Sequence, residues 1–475
     1  MPKLEYRGKM ILAPMVKVGT LPMRLLALEY GADIVYTEEI IDMRLLASER
    51  VENKILGTVD YIDRRDNCLV FRTCAKEKEK LVLQIGTNDG DRAAAVAKKV
   101  EGDISGLDVN MGCPKGFSLK GGMGAALLTQ PQKVRDILTK LVAAVNIPVT
   151  AKIRLLPSLS ATLELVSLIE SCGVAALGVH GRTKEQRPND VCDVESIKAV
   201  VRHANLPIIA NGGSSNNRNS QINTYVGIRN FWEETGAASV MVARAAEWNP
   251  SVFREGEKED IMMVIEKYFG YAIEYDYPFN IVKYCVQQLL GSLQESELGR
   301  NFLNCATMGD LCEVFGLAQL YKEKQQLLAS QERPDKEFSE KMDKEEKLGK
   351  RKRKYGEDTV TEMFCPFVRG HYGVNESSDL PKTLLLLYAR QKQLGQPKYV
   401  LEQQDKQFRA RVRVGEHSYG SMAWEKNKKY AEQGAALVAV KCLNITKDDI
   451  VWKQSKVVEE TSGVEETRDT LVSSS

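Results

Sequence analysis

The 475-residue sequence lacks long apolar runs, closely spaced cysteine pairs and the pattern of a secretory leader. Its longest apolar patches, such as Leu384 to Leu387, are far shorter than the roughly 20 residues that a membrane span needs. Its ten cysteines show no CxxC spacing, which argues against a zinc site and a disulfide framework. The first nine residues are interspersed with charges where a leader would be basic and then apolar. We therefore expect a cytoplasmic protein that could also enter the nucleus, with no membrane partner and no metal.

Charge is distributed unevenly along the chain. The formal net charge is only +2, yet residues 381–445 contain 12 Lys and Arg against 5 Asp and Glu. The remainder of the chain is slightly acidic as a result. A basic segment of this kind indicates a polyanionic partner, because clustered cations attract phosphate-rich surfaces.

A pattern of short apolar, β-branched runs followed by helical stretches recurs from about residue 9 to 245. Eight βα units of this size predict a closed parallel α/β barrel of the TIM type rather than an open sheet. Apolar spacing of three to four predicts helices at 21–30, 91–100, 132–145 and 160–171, and alternation around 58–73 predicts an added hairpin. The predicted strands are Met10 to Ala13, Ile34 to Thr37, Leu81 to Ile85, Gly106 to Val109, Pro148 to Ile153, Ala175 to Val179, Pro207 to Ala210 and Ser239 to Val242.

Strand-like runs give way to helical patterns after about residue 255, with helices predicted at 261–274, 280–293 and 311–328. A highly charged stretch follows, and its basic run Lys350 to Lys354 is interpreted as solvated linker in preference to a localisation patch or an RNA clamp. The predicted domains are an α/β barrel at 1–255, a small all-α domain at 256–330, a linker at 331–360, an α+β domain with the order αβββα at 361–445, and a disordered tail at 446–475.

Polar residues end several of the predicted barrel strands, which is where reactive groups of this fold lie. Gly212 and Gly213 would allow close backbone approach to a phosphate, and Arg244 could pair with it. Gln84 and Lys152 could meet the polar edge of a flat cofactor such as a flavin, where a cation would stabilise negative charge. His180 could bind the ribityl chain or the phosphate of that cofactor.

The sharpest local signal is the segment around Cys113, in which a glycine-rich loop carries one cysteine over the predicted barrel mouth. Such a loop is flexible enough to close on a large substrate. Since an ordinary cysteine has a pKa of about 8.5, it is mostly a thiol at pH 7 and can donate a proton. Most of the other cysteines are expected to be buried small hydrophobes.

The string DVNMGCPKGFSLKGGMGAALL, with APMVKVGTLPMR before it and HGRTKEQRP and PIIANGG after it, closely resembles the tRNA-dihydrouridine synthase family. The resemblance covers roughly residues 9–250. It implies that NADPH reduces FMN, that hydride passes to uridine C6, and that Cys113 supplies a proton to C5. Asn110 would help to place the uracil ring, and Arg154 and Arg182 would contact tRNA phosphate or substrate. The implied FMN contacts are Pro14, Met15, Val16, Glu39, Gln84, Lys152, His180, Asn211, Gly212, Gly213, Ala243 and Arg244.

The segment from Pro381 onwards resembles a double-stranded-RNA-binding domain, which grips RNA by shape and by phosphate contacts. Two departures from the usual pattern favour a tRNA-adapted variant over a binder of long duplexes: the loop at 403–407 lacks a Gly-Pro-x-His element, and Glu432 stands where a basic residue is common. The combination with a synthase barrel resembles the eukaryotic subfamily that modifies uridine 20, so tRNA is the expected partner. A monomer is one possibility for the oligomeric state. The expected RNA contacts are Lys382, Lys426, Lys428 and Lys429.

Two other functions remain open on the residues alone. A different flavin barrel, such as a small-molecule ene-reductase or dihydroorotate dehydrogenase, would explain the cofactor residues but leave the basic C-terminal segment without a purpose. An RNA-binding protein built on an inactive barrel would explain that segment, although intact Cys113, Lys152, His180 and Arg244 argue against a decayed site. The preference for NADPH follows from the family resemblance, because the sequence has no nicotinamide-binding fingerprint.

Overall fold

The computed structural model describes residues 4–64, 68–187, 189–214, 216–218, 221–305, 307–330, 351–355, 358–365, 367, 380–404, 407–425 and 427–445. The chain divides into two compact units with the boundary between residues 340 and 341. The predicted tail and most of the predicted linker lie outside the described residues. Within these ranges, no helix is both long and apolar enough to cross a membrane.

Eight parallel strands close into a barrel in the first unit, and all eight predicted strands are confirmed. The strands of this unit are β1 (Met10–Leu12), β2 (Ile34–Ile41), β3 (Ser48–Asn53), β4 (Thr58–Asp63), β5 (Cys68–Cys74), β6 (Leu81–Gly86), β7 (Gly106–Met111), β8 (Val149–Leu155), β9 (Ala176–Thr183), β10 (Ile208–Asn211) and β11 (Ser239–Val242). The barrel order is β1-β11-β10-β9-β8-β7-β6-β2. Every residue of β6 and β10 is buried, because outer helices cover a barrel whose interior is filled by side chains.

Helices follow the barrel strands and then continue as a helical segment. The four predicted barrel helices are confirmed to within one residue at each end. Asp89 and Ser158 cap two of them by accepting the N–H of Arg92 and Ala161. The helices are α1 (Leu21–Glu29), α2 (Asp42–Ala47), α3 (Gly90–Val100), α4 (Gly116–Lys120), α5 (Pro131–Ala144), α6 (Leu159–Ser171), α7 (Val194–His203), α8 (Tyr225–Thr235), α9 (Arg244–Trp248), α10 (Ile261–Glu274), α11 (Phe279–Leu290), α12 (Glu297–Asn304), α13 (Met308–Val314) and α14 (Ala318–Ser330).

A small antiparallel sheet, β3-β4-β5, is inserted between the second and third barrel strands. The predicted hairpin at 58–73 is confirmed, and β3 adds a third strand to it. Buried Arg72 pairs with Asp60 of the same sheet and donates to the carbonyl of Tyr275 at 2.6 Å. The insertion is therefore fixed to the segment that follows α10.

The helical segment from α10 to α14 shares one buried apolar cluster with the barrel. Residues 256–330 consequently pack as part of the first unit. The predicted helix at 311–328 is wrong in one respect, since α13 ends at Val314 and α14 begins at Ala318. Gly316 lies between them with a φ of +71°, a left-handed conformation that ends helices and suits glycine.

The second unit confirms the predicted αβββα order, with α15 (Pro381–Gln391) and α16 (Lys428–Cys442) packed on one sheet. Its strands are β12 (Arg351–Tyr355), β13 (Asp358–Met363), β14 (Lys398–Gln404), β15 (Gln407–Val414) and β16 (His417–Ser421), in the order β12-β13-β16-β15-β14. The interpretation of residues 351–355 and 358–360 as solvated linker is wrong. These residues belong to β12 and β13, a hairpin whose second strand pairs in parallel with β16, so the described part of the basic run is ordered strand.

Candidate active site

The loop that follows β7 is held at both sides of the Cys113 peptide unit. The Asn110 side-chain oxygen accepts the N–H of Gly112 at 3.0 Å and of Cys113 at 2.9 Å. The carbonyl of Cys113 accepts the N–H of Ala125 at 3.0 Å. At Gly124, which has a φ of +59°, a Cβ atom would lie 2.7 Å from that carbonyl oxygen. The glycine-rich sequence thus allows the loop to fold back tightly on the cysteine, and Asn110 acts first as an anchor of this loop.

The Cys113 thiol lies beside Ser118 and Glu39. Burial raises the pKa of the thiol above its usual value; the Ser118 hydrogen bond opposes the shift and the nearby Glu39 charge adds to it. The Ser118 hydroxyl is 3.3 and 3.5 Å from the two oxygens of the Glu39 carboxylate. A Cβ at Gly86 would come within 2.6 Å of that carboxylate, so glycine makes room for it. Glu39, predicted as an FMN contact, is therefore directed at the cysteine loop.

Lys152 of β8 is the central cation of the barrel mouth. Burial lowers its pKa to about 8; the positive charge of Arg154 acts in the same direction, while Asp108 opposes it. Within the described ranges, no carboxylate lies at ion-pair distance from its ammonium group. A buried cation without a direct counter-charge favours an anion nearby.

His180 of β9 is surrounded by positive charge. Its pKa is lowered well below the usual value, first by burial and then by Lys152, Arg154, Arg182 and Arg244. The imidazole is therefore neutral at pH 7, and can accept or donate a hydrogen bond without adding to the charge. Its Nε2 atom accepts a hydrogen bond from Arg182 Nη1 at 3.2 Å.

Arg182 lies buried among backbone carbonyls. Its side chain is only 4% exposed. Its guanidinium donates to the carbonyls of Gly212 at 2.9 Å and Asp190 at 2.8 Å as well as contacting His180. These bonds commit the buried group to orienting the ends of β9 and β10. Contact of Arg182 with tRNA phosphate or substrate stays a prediction.

Two other cations remain better placed for an anionic ligand. Arg154 is half-buried and uses one nitrogen to donate to the Thr183 carbonyl at 2.8 Å. Arg244, at the start of α9, is also half-buried and donates to the side chain of Asn216. Both place a guanidinium charge at the carboxyl end of the barrel, where a phosphate could pair with it.

Gln84 and Asn211 are more deeply placed than an open cofactor contact requires. Gln84 is 1% exposed, and its amide bonds to Asp108 and Asn110 on β7. Asn211 donates to the Met241 carbonyl at 2.9 Å and so joins β10 to β11. Both predicted FMN contacts therefore have structural hydrogen bonds.

The remaining predicted cofactor residues follow neighbouring strands on the other side of the mouth. Pro14, Met15 and Val16 follow β1, and Ala243 follows β11, which pairs with β1. Val16 is 52% exposed and the other three are partly exposed. Gly213 follows β10 and packs against the ring of Phe231, where a Cβ would clash at 2.7 Å.

Sequence reasoning missed three polar residues: Ser118 in the cysteine loop, and Asp108 and Thr150 on β7 and β8 below it. Ser118 lies in the quoted cysteine motif, but nothing in its spacing indicates contact with Glu39. The sequence did indicate Asp108, because a carboxylate inside a mostly apolar strand is costly to bury unless it has specific partners. Thr150 donates to that carboxylate at 2.6 Å.

The predicted RNA contacts of the second unit have different surroundings. Lys428 and Lys429 are exposed at the start of α16. Lys382 forms an ion pair with Glu432 and lies 4.5 Å from the centre of the Tyr399 ring. The unusual acidic residue at 432 thus partly neutralises Lys382. Lys426 lies outside the described residues.

Known proteins resemble both units. The family model for dihydrouridine synthase (Dus) matches residues 11–347, and that for the double-stranded RNA binding motif matches residues 381–443. A tRNA-dihydrouridine(20) synthase [NAD(P)+] of Schizosaccharomyces pombe is 36% identical over 322 residues, which cover 66% of this chain and 66% of that protein. The Saccharomyces cerevisiae protein of the same name is 37% identical over 308 residues, covering 60% of this chain and 78% of that protein.

Among solved structures, a variant of the double-stranded RNA-binding domain of human tRNA-dihydrouridine(20) synthase is 33% identical to this chain. It covers 19% of this chain and 96% of that one, with a TM-score of 0.18. The family match spans most of the sequence and includes the barrel, the cysteine loop and every cation of the mouth. The chain therefore belongs to the dihydrouridine synthase family.

Proposed function

We propose that this chain reduces the C5=C6 bond of uridine in tRNA to dihydrouridine, using FMN and NADPH, and that the target is position 20 of the D-loop. The observation that carries the proposal is the Cys113 thiol, held at the mouth of a barrel that also presents Lys152, His180 and Arg244 there. The choice of position 20 is supported by the names of the two fungal relatives. Cytoplasmic location and a monomeric state stay predictions.

The residues of the mouth fit FMN by charge. Lys152, Arg154, Arg182 and Arg244 gather around a neutral His180. Such an excess of cations suits a phosphate and the negative charge of a reduced flavin. Arg244 and Arg154 would hold the phosphate and Lys152 the polar edge of the ring. Bound flavin supplies the hydride that is added to C6 of the uracil.

Cys113 supplies the proton that C5 needs to complete the reduction. Because burial and the Glu39 charge raise the pKa of the thiol, it stays protonated at neutral pH and can act as a general acid. The bonds of Asn110 and Ala125 to the Cys113 peptide unit fix where the sulfur lies. The protein thus contributes an oriented donor rather than a nucleophile.

The RNA motif favours tRNA over a small substrate. A small-molecule flavin reductase would use the barrel, but it would have no use for the exposed Lys428 and Lys429 at a helix start. Reduction of a tRNA uridine requires the base to leave its stacked position, and a separate grip on the RNA helps to offset that cost.

A turnover assay tests the whole proposal. Purified full-length protein, NADPH and tRNA lacking dihydrouridine would be incubated, and the product mapped by mass spectrometry. Dihydrouridine at position 20 is the expected result. Protein that is loaded with flavin and oxidises NADPH, yet leaves the tRNA unchanged, would show that the substrate is different.

The Arg244→Ala variant is expected to retain flavin poorly. Loss of one charge-assisted phosphate contact should cost about 1.5–3 kcal/mol, or roughly a tenfold or larger increase in the flavin dissociation constant. Flavin absorbance after gel filtration and a titration of stripped protein would measure it. Arg229→Ala is the matched control, because Arg229 is an exposed arginine of α8 that pairs with Glu233. Equal flavin loss in both variants would contradict the assignment.

The Lys428→Ala/Lys429→Ala variant is expected to bind tRNA more weakly while reducing flavin normally with NADPH. Two lost phosphate contacts should reduce the salt dependence of binding by about two units of slope. Binding would be followed by fluorescence anisotropy at several salt concentrations. Lys392→Ala/Lys398→Ala removes two other exposed lysines of the same unit and serves as control. A parallel loss of flavin reduction would argue against a separate RNA contact.

A further inference from the structure

A continuous row of side-chain hydrogen bonds runs beneath the cysteine loop. Thr150 on β8 donates to one oxygen of Asp108 at 2.6 Å, and Gln84 on β6 donates to the other at 2.8 Å. The Gln84 oxygen accepts from the Asn110 amide at 3.0 Å. The Asn110 oxygen then accepts the backbone N–H groups of Gly112 and Cys113. Asp108 is thus linked to the peptide unit of Cys113 through two amide side chains.

Asp108 occupies a position where a carboxylate is costly. It is 1% exposed, and within the described ranges no cation lies at ion-pair distance from it. Burial raises its pKa to about 6, while the hydrogen bonds from Thr150 and Gln84 and the charge of Lys152 oppose the shift. Leucine, with the same branched shape, would fill this space without the desolvation cost. The carboxylate therefore calls for a role that an apolar residue could not perform.

That role follows from the direction of the hydrogen bonds. An ionised carboxylate can only accept, so it requires Gln84 to present its NH₂ group. The opposite end of the Gln84 amide is then an oxygen, which requires the NH₂ group of Asn110. Asn110 consequently turns its own oxygen towards the loop, where the backbone N–H groups of Gly112 and Cys113 can only donate. Each amide has one orientation that satisfies both of its neighbours.

We propose that Asp108 is a positioning residue that sets the orientation of the Gln84 and Asn110 amides and thereby holds the Cys113 loop over the barrel mouth. The inference rests on the proposed function for its catalytic meaning, since Cys113 is the proton donor in that reaction. Asp108 itself touches neither the cysteine nor the strand-end cations at ion-pair distance. Its effect on the loop is transmitted entirely through the two amides.

The test compares two replacements of Asp108 in full-length, flavin-loaded protein. Asp108→Asn removes the charge but keeps an oxygen that can accept from Gln84. Asp108→Leu removes the charge and the acceptor while keeping the branched shape of the side chain. Thr150→Val is a matched control that removes the hydrogen bond to the other carboxylate oxygen and leaves Gln84 in place. If Asp108→Leu does not fold, Gln84→Met removes the next side chain in the row of hydrogen bonds instead. Flavin content and thermal unfolding would establish whether each variant is folded.

Two readouts report on the loop without depending on turnover. One is amide hydrogen exchange in the peptide that contains Gly112 and Cys113. The other is the rate of Cys113 alkylation by iodoacetamide, with buried Cys285 and exposed Cys68 as internal references. We expect Asp108→Leu and Gln84→Met to accelerate both by about tenfold or more, in line with the loss of a buried hydrogen bond. Asp108→Asn and Thr150→Val should stay within about twofold of the parent.

Each other pattern overturns the proposal. Loop protection that is unchanged in folded Asp108→Leu would mean that residue 108 only fills space. Equal acceleration of amide exchange and alkylation in Asp108→Asn and Asp108→Leu would mean that the charge of residue 108 holds the loop and the direction of the hydrogen bonds does not. These readouts stand apart from the reaction: a parent protein that forms no dihydrouridine would refute the proposed function, whereas the exchange and alkylation pattern would still decide whether Asp108 holds the loop.

Discussion

Replacing Cys113 by alanine should lower dihydrouridine formation by about 10²–10⁴-fold while leaving flavin bound, because a positioned general acid contributes about that much to a rate. The thiol lies on the loop that follows β7, and the contacts to which we assign the phosphate and ring edge belong to other side chains, those of Lys152, Arg154 and Arg244. Its removal therefore takes away the proton for C5 without removing one of these cofactor contacts. Single-turnover reduction of tRNA, followed by mass spectrometry, would measure the loss.

The chain offers a close control for this experiment. Cys192 is also half-buried at this end of the first unit, and burial raises its pKa to about 11. Cys192→Ala makes the same chemical change near β9 and β10 and should keep most of the activity. Purified Cys113→Ala protein that had lost its flavin would refute the assigned role, and so would equal activity losses in the two variants.

The second large effect is expected on stability, at the ion pair between Arg24 and Glu77. Both side chains are at most 2% exposed, and Arg24 donates to the Glu77 carboxylate at 2.8 and 2.6 Å. Arg24 also donates to the carbonyls of Gly19 at 2.7 Å and Arg72 at 2.8 Å. Glu77→Gln leaves a buried guanidinium without its counter-charge. We expect the free energy of unfolding to fall by about 3–5 kcal/mol, as measured by urea denaturation.

The exposed pair Lys76–Glu274 provides the comparison. It has a similar N–O distance of 3.0 Å, but its side chains are 59% and 46% exposed. Glu274→Gln makes the same substitution in solvent and should change stability by less than about 1 kcal/mol. If Glu77→Gln and Glu274→Gln lowered the free energy of unfolding by similar amounts, burial would not be the reason that the Arg24–Glu77 pair stabilises the protein.

The barrel was predictable because its strands are encoded locally. Runs such as Pro207 to Ala210 are mostly apolar, as expected of strands covered on both faces, and several are followed by a helical period. The end of each run then located Lys152, His180 and Arg244. Parallel strands bring such ends together whatever the details of the loops.

The direction in which each polar side chain points could not be predicted from the local sequence pattern. Glu39 and Gln84 end neighbouring strands and were both expected to contact the cofactor. One faces Cys113 and the other bridges Asp108 and Asn110, because each satisfies the nearest buried donors and acceptors. Arg182 is buried for the same reason, because its guanidinium donates to backbone carbonyls. The hairpin of β12 and β13 was missed because its partner, β16, lies some 55 residues away and its own composition is charged.

This hairpin also changes which strand borders solvent. Without it, β16 would be the outermost strand of the sheet and would present unpaired backbone N–H and C=O groups, a template for association with another chain. The pairing of β13 covers that edge and transfers the border to β12, where Lys352, Arg353 and Lys354 are exposed. Like charges repel a second sheet that approaches there. A fragment that begins at Pro381, where the RNA motif begins, would expose the uncharged edge and tend to self-associate.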